Sequence, residues 1–151
     1  MLLQLTPETV SRSWNGIEPH IRKAMEADSN ENGDKVINKL VEKILSENIQ
    51  YWVSYDGSDD TRAHNAVALT QVQICDFTGR KSLLLYSVTR TKEMDKDTTS
   101  KMWMEAFVAT SKYAMSRGCT SLVAYTELDY LAEMAKRPEY NSIVKYFITF
   151  P

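Results

Sequence analysis

The sequence predicts an α/β domain of the α+β kind, with a mixed, mainly antiparallel central sheet and helices on both faces. Three observations predict it. Apolar residues recur at helical spacing from Val10 to Ile21 and again from Val36 to Leu45. Three strand-like segments then follow with no helix between them, at 50–55, 66–75 and 82–88. A long helical segment ending at Gly118 leads into a further strand. The resulting order is β-α-α-β-β-β-α-β-α-β, in one domain spanning 1–151.

Each element has its own reason. Met1 to Leu5 is short and apolar and suits a brief strand. Thr6-Pro7-Glu8 reads as a helix start, with Thr6 as N-cap, Pro7 in the first turn and an acid near the positive helix end. Val10, Trp14, Ile17 and Ile21 follow on one face, while Gly16 and Pro19 predict a kink or two short helices. Ser29 to Gly33 reads as a polar turn. From Asp34 an amphipathic helix is expected, with Val36, Leu40 and Ile44 in one row and Ile37, Val41 and Leu45 in the next.

Gln50 to Tyr55 is rich in aromatic and β-branched residues, as strands are. Ala66, Ala68, Thr70, Val72 and Ile74 alternate with Val67, Leu69, Gln71, Gln73 and Cys75; the first set carries no charge and is expected to face the core. Gly79 marks a hairpin turn, and the run Leu83-Leu84-Leu85-Tyr86 suits a central strand buried on both faces. Thr98, Thr99 and Ser100 are placed to cap a helix running to about Arg117, with Trp103, Phe107, Tyr113 and Ala114 at core spacing and Gly118 as the C-terminal glycine. Residues 120–126 read as a strand, 128–136 as a short helix stopped by Pro138, and 142–150 as a last strand.

Composition narrows the function classes. Apolar residues make up 43% and charged residues 25% of the 151, which is ordinary for a folded domain with its own core. The net charge of -2 offers no basic footprint, which argues against a nucleic-acid partner. Cys75 and Cys119 lack CxxC spacing and have only His20 and His64 to join them, so no zinc site of the usual spacing is expected, and both read as reduced, buried cysteines. No basic, apolar secretory leader opens the chain and no run approaches a membrane span. These features predict a cytoplasmic protein.

The order of elements resembles that of the GNAT superfamily, the acyl-CoA N-acyltransferase-like proteins. Two stretches carry the likeness. Tyr51-Trp52-Val53-Ser54-Tyr55-Asp56, a turn and Ala66-Val67-Ala68-Leu69-Thr70 resemble the family's second and third strands. Ala114-Met115-Ser116-Arg117-Gly118-Cys119-Thr120-Ser121-Leu122 resembles the end of its third helix entering the fifth strand. The chain is also similar to small GNAT-like proteins of tailed bacteriophages, in the Trp14–Ile17-Glu18-Pro19 style of first helix and the Arg117-Gly118-Cys119 turn.

That resemblance implies an acetyl-CoA site and an amine acceptor. It implies that the strand ending at Val88 offers a backbone N–H to the acyl carbonyl. The loop after that strand should wrap the pyrophosphate with glycine-borne N–H groups, backed by a helix N-terminus. Here the stretch from Thr89 to Thr98 contains no glycine. Arg90, Lys92 and Lys96 can pair with phosphate, Glu93, Asp95 and Asp97 oppose it, and the start at Thr98, Thr99 and Ser100 can receive an anion. The other reading of this stretch is a solvated loop before a capped helix. The family's proton-donating tyrosine would fall near Met134 or Ala135, which cannot serve; Tyr130, one turn earlier, substitutes if the register shifts, and otherwise packs at a helix start. Glu127, at a strand end, is the candidate general base, or else a solvated acid. His20 and His64 read as isolated. A non-catalytic role is the alternative: a phage virion component or host-protein-binding module acting through a protein partner or self-association. It draws on the missing glycines and on the final strand ending at Pro151, where the family usually adds a second, leaving a strand edge free.

Overall fold

A computed structural model describes residues 1–55 and 64–125, together with Glu133 and Lys136. Within them lie β1 (Leu2–Leu5), α1 (Pro7–Arg12), α2 (Trp14–Ala24), α3 (Glu31–Leu45), β2 (Gln50–Tyr55), β3 (His64–Ile74), β4 (Lys81–Arg90), α4 (Lys96–Ser116) and β5 (Ser121–Ala124). The strands form one sheet in the order β1-β2-β3-β4-β5. The first four are antiparallel to their neighbours, and β5 runs parallel to β4. The expected last strand, Pro138 and most of the expected fifth helix lie outside the described residues; Glu133 is helical.

The sheet carries helices on both faces, and β2 shows how. Tyr51 and Val53 join Ile17, Ile21, Ile37, Leu40 and Ile44 in a core beneath α1, α2 and α3. Trp52 points the other way and meets Tyr113 of α4 edge to face, with ring centroids 5.3 Å apart. On that second face Leu83, Ala114 and Cys119 pack together against Val72 and Leu122.

The α1–α2 break falls at Ser13, whose N–H still reaches the Thr9 carbonyl at 3.0 Å. Two short helices were expected, but neither Gly16 nor Pro19 divides them. Pro19 lies inside α2, where its missing N–H forfeits a single intrahelical bond. The next helix begins at Glu31, ahead of the expected Asp34, because the Asn30 side chain accepts from the Gly33 amide at 2.9 Å and caps it. Of the two apolar rows on α3, Ile37, Leu40 and Ile44 are buried, while Val36 and Leu45 stand on its flanks, exposed.

Strand β3 corrects the alternation. Asn65 through Thr70 are all buried, so Val67 and Leu69 are as interior as Ala66 and Ala68, and Ile74 of the expected core set is 58% exposed. A central strand under helices on both sides has no solvent face for alternation to mark. Cys119 is buried as expected, but Cys75 is exposed beside the hairpin turn, where Thr78 and nearby amides hold its thiol pKa down. On α4 the buried row is Thr99, Met102, Thr110 and Ala114, with Trp103, Phe107 and Tyr113 half-buried beside it. Gly118 takes a positive φ of 74° immediately after the Arg117 C-cap, as the helix end requires.

Candidate active site

The site is built from the far end of β4. Its pairing with β3 matches Thr70 to Leu85 but Leu69 to Ser87, so Tyr86 is an extra residue that bulges from the ladder. Pairing with β5 stops at the same point, at Leu85 and Ala124. Beyond the bulge β4 continues along β3 as far as Arg90, and no strand among the described residues pairs with its other side. Tyr86 and Tyr125, the residues that follow the last paired ones, are 51% and 65% exposed.

The backbone direction follows from one bond. The Thr91 N–H donates to the Asn65 carbonyl of β3 at 3.0 Å. Amides alternate along a strand, so those of Ser87 and Thr89 also face β3, while those of Val88 and Arg90 face away from it. Helix α2 braces this end of β4: the Ser87 hydroxyl donates to the Ala24 carbonyl at 3.1 Å, and the Lys23 ammonium to the Arg90 carbonyl at 3.3 Å.

The start of α4 corrects an expectation. Asp95, not Thr98, Thr99 or Ser100, caps the helix. Its carboxylate accepts from the Thr98 amide and hydroxyl, both at 2.8 Å, and these bonds hold its pKa below the usual carboxylate range. The Thr99 hydroxyl donates to the Asp95 carbonyl at 2.8 Å. Thr98, Thr99 and Ser100 are thus the third, fourth and fifth residues of α4, and the helix end that would receive a phosphate already holds a carboxylate. Aspartate is among the residue types favoured at an N-cap, and that residue type is the only sequence signal here.

Val88 and Arg90 therefore share one strand edge, with Thr98 to Ser100 on the helix that follows. Glu127 and Tyr130 lie outside the described residues. His20 and His64, isolated in sequence, are brought together with ring centroids 6.3 Å apart, and Tyr55 packs edge-on to His64 at 5.0 Å. Burial, and then the neighbouring His20, lower the His64 pKa. Among the described residues no group of three or more His, Cys, Asp or Glu is placed to hold a metal ion, and no helix is long and apolar enough to cross a membrane.

Neither a protein-family sequence model nor a curated protein matches the chain. Solved structures do. A GNAT family acetyltransferase from Staphylococcus aureus matches with a TM-score of 0.64 at 5% identity, over 100% of this chain and 96% of that one. The aminoglycoside 6'-N-acetyltransferase of Acinetobacter haemolyticus matches at 0.63 and 9% identity, over 99% and 95%. The ribosomal-protein-alanine N-acetyltransferase of Brucella melitensis matches at 0.61 and 10% identity, over 97% and 99%.

The chain has the GNAT fold. Identities this low carry the architecture and nothing finer. The start of α4, where the resemblance puts the coenzyme phosphates, carries the Asp95 cap.

Proposed function

We propose that the protein is an acetyl-CoA-dependent N-acetyltransferase with a degenerate coenzyme loop. The observation that carries this reading is the Tyr86 bulge in β4, past which the Val88 and Arg90 amides turn away from β3, along the edge where the resemblance places the acyl group.

Acetyl-CoA suits the two ends of that site differently. At the acyl end, the Val88 amide would hold the carbonyl oxygen, where negative charge develops as an amine attacks. When bound, the coenzyme supplies an acyl group activated as a thioester. At the phosphate end, Arg90, Lys92 and Lys96 supply cations in place of glycine-borne amides, and Asp95 opposes them. The fit is good at the first end and poor at the second, so weak coenzyme affinity is expected. Glu127 is the proposed base for the amine and Tyr130 the proposed proton donor. The acceptor is an amine reaching that edge of β4 from the α2 side, opposite α4, and a cytoplasmic location fits such chemistry. Isothermal titration with acetyl-CoA tests the reading: binding, followed by thiol release on adding an amine, supports it. No heat at about 1 mM ligand, a binding energy of only about 4 kcal/mol, overturns it.

The Asp95 cap favours a second reading. With the phosphate end already neutralised, the fold would serve as a non-catalytic module acting through protein contacts, as a phage virion component, a host-protein binder or a homo-oligomer. Presence in purified particles by mass spectrometry supports this reading. Absence from particles, together with a monomer in light scattering and no partner in pull-downs, counts against it.

A further inference from the structure

A cleft of about 440 Å³ opens on the α2 side of the sheet, immediately beyond the end of β4. Its polar lining comes from four places in the chain. Ser13 comes from the α1–α2 break, His20 from α2, His64 from the start of β3, and Thr91 and Lys92 from the loop after β4. The described lining contains donors and a cation but no carboxylate. The Thr91 hydroxyl donates to the His64 carbonyl, and its amide to the Asn65 carbonyl, so this loop is stitched to β3 and the two imidazoles keep a fixed relation to it.

We propose that this cleft binds an anionic oxygen group, a carboxylate or a phosphate, carried by the acceptor amine. Burial and the facing His20 ring oppose a proton on His64; an anion beside the two rings offsets that and accepts hydrogen bonds from their N–H groups. The Lys92 ammonium and Ser13 hydroxyl complete a donor set suited to an oxyanion. Glu18, the nearest acid on α2, is engaged with Arg22 at 3.0 Å.

The position along β4 sets the length of the acceptor. From Val88 to the end of β4 at Arg90 is two strand residues, roughly 7 Å at about 3.3 Å each, and Thr91 and Lys92 lie in the loop beyond. The amine end rests on the acyltransferase reading; the anion end does not. The acceptor class is therefore an elongated primary amine with an anionic group more than about 7 Å from its nitrogen.

The test uses the full chain with labelled histidines and three probes: 8-aminooctanoate, 8-aminooctyl phosphate and the uncharged 8-aminooctanamide. Without acetyl-CoA, one or both anionic probes should shift the His20 and His64 imidazole resonances, and the amide should leave them in place. The probe with the larger effect identifies carboxylate or phosphate as the preferred group. With acetyl-CoA, kcat/KM for the preferred anionic amine should exceed that for the amide by roughly tenfold, as expected for hydrogen bonds to a charged group. H64Q and, separately, S13A should reduce that ratio toward one while leaving turnover of the amide unchanged. Imidazole signals that ignore both anions, or respond equally to the amide, overturn the proposal. Imidazole shifts without thiol release from any amine keep the anion site and overturn the acyltransferase reading alone.

Discussion

The Asp95 carboxylate accepts two hydrogen bonds from Thr98, from its amide and its hydroxyl, each at 2.8 Å. A fixed negative charge thereby sits on the end of α4 that a coenzyme phosphate would otherwise approach. Coenzyme binding must then work against Asp95. Replacing it by serine keeps an oxygen acceptor for the helix end and deletes the charge. D95S should therefore tighten acetyl-CoA binding by roughly two- to fivefold, the usual weight of one charge at a helix terminus, in side-by-side titration calorimetry. Equal or weaker binding would show that the phosphates lie elsewhere.

The same bond predicts a pH dependence. The Asp95 pKa is lowered in the folded chain, first by the Thr98 amide and then by the Thr98 hydroxyl. A depressed carboxylate stabilises the fold above its unfolded pKa, about 3.9, and that contribution is lost as pH falls through the folded value. Protection of the Thr98 amide against hydrogen exchange, corrected for intrinsic rates, should hold above about pH 4 and decline below it. In D95N the local decline should be absent, because a neutral amide cap does not titrate.

The Val88 amide faces away from β3, so proline can remove it without breaking the β3–β4 ladder. Ser87 is already extended, as the residue before a proline must be. V88P should keep the far-ultraviolet circular dichroism of the parent. If Val88 holds the acyl oxygen, its kcat/KM should fall by about a hundredfold or more, the scale for losing one such donor, while V88A stays near the parent value. A V88P variant that is folded and fully active would remove Val88 from the chemistry.

Much of this arrangement could be read in advance, and the parts that could not share a physical cause. The helices on Val10 to Ile21 and Val36 to Leu45 were legible because each has a solvent side against which periodicity shows. Strand β3 has none along Asn65 to Thr70, so its alternation carried no information. Asp95 was a possible cap by residue type alone, and two threonines and a serine just downstream offered equally good ones. The bulge at Tyr86 depends on register between two strands, and the approach of His20 to His64 depends on α2 crossing the end of β3; neither property belongs to any local stretch.

Two buried hydroxyls predict opposite outcomes on stability. The Thr70 hydroxyl, fully buried, accepts from the Trp52 indole at 2.9 Å and donates to the Gln50 carbonyl oxygen at 3.0 Å, joining β2 to β3. T70V preserves shape but strands both partners in the interior, and should lower unfolding free energy by about 1–3 kcal/mol in urea melts. The Tyr51 hydroxyl is also buried but has no hydrogen-bond partner among the described residues, and its pKa is pushed up by burial and by Tyr55. Y51F removes an unsatisfied polar atom and keeps the ring packing among Val53, Val67 and Leu69. Its stability should equal or exceed that of the parent. A loss in Y51F as large as that in T70V would mean that the phenol is satisfied in solution, and that this part of the core is wetter than its packing indicates.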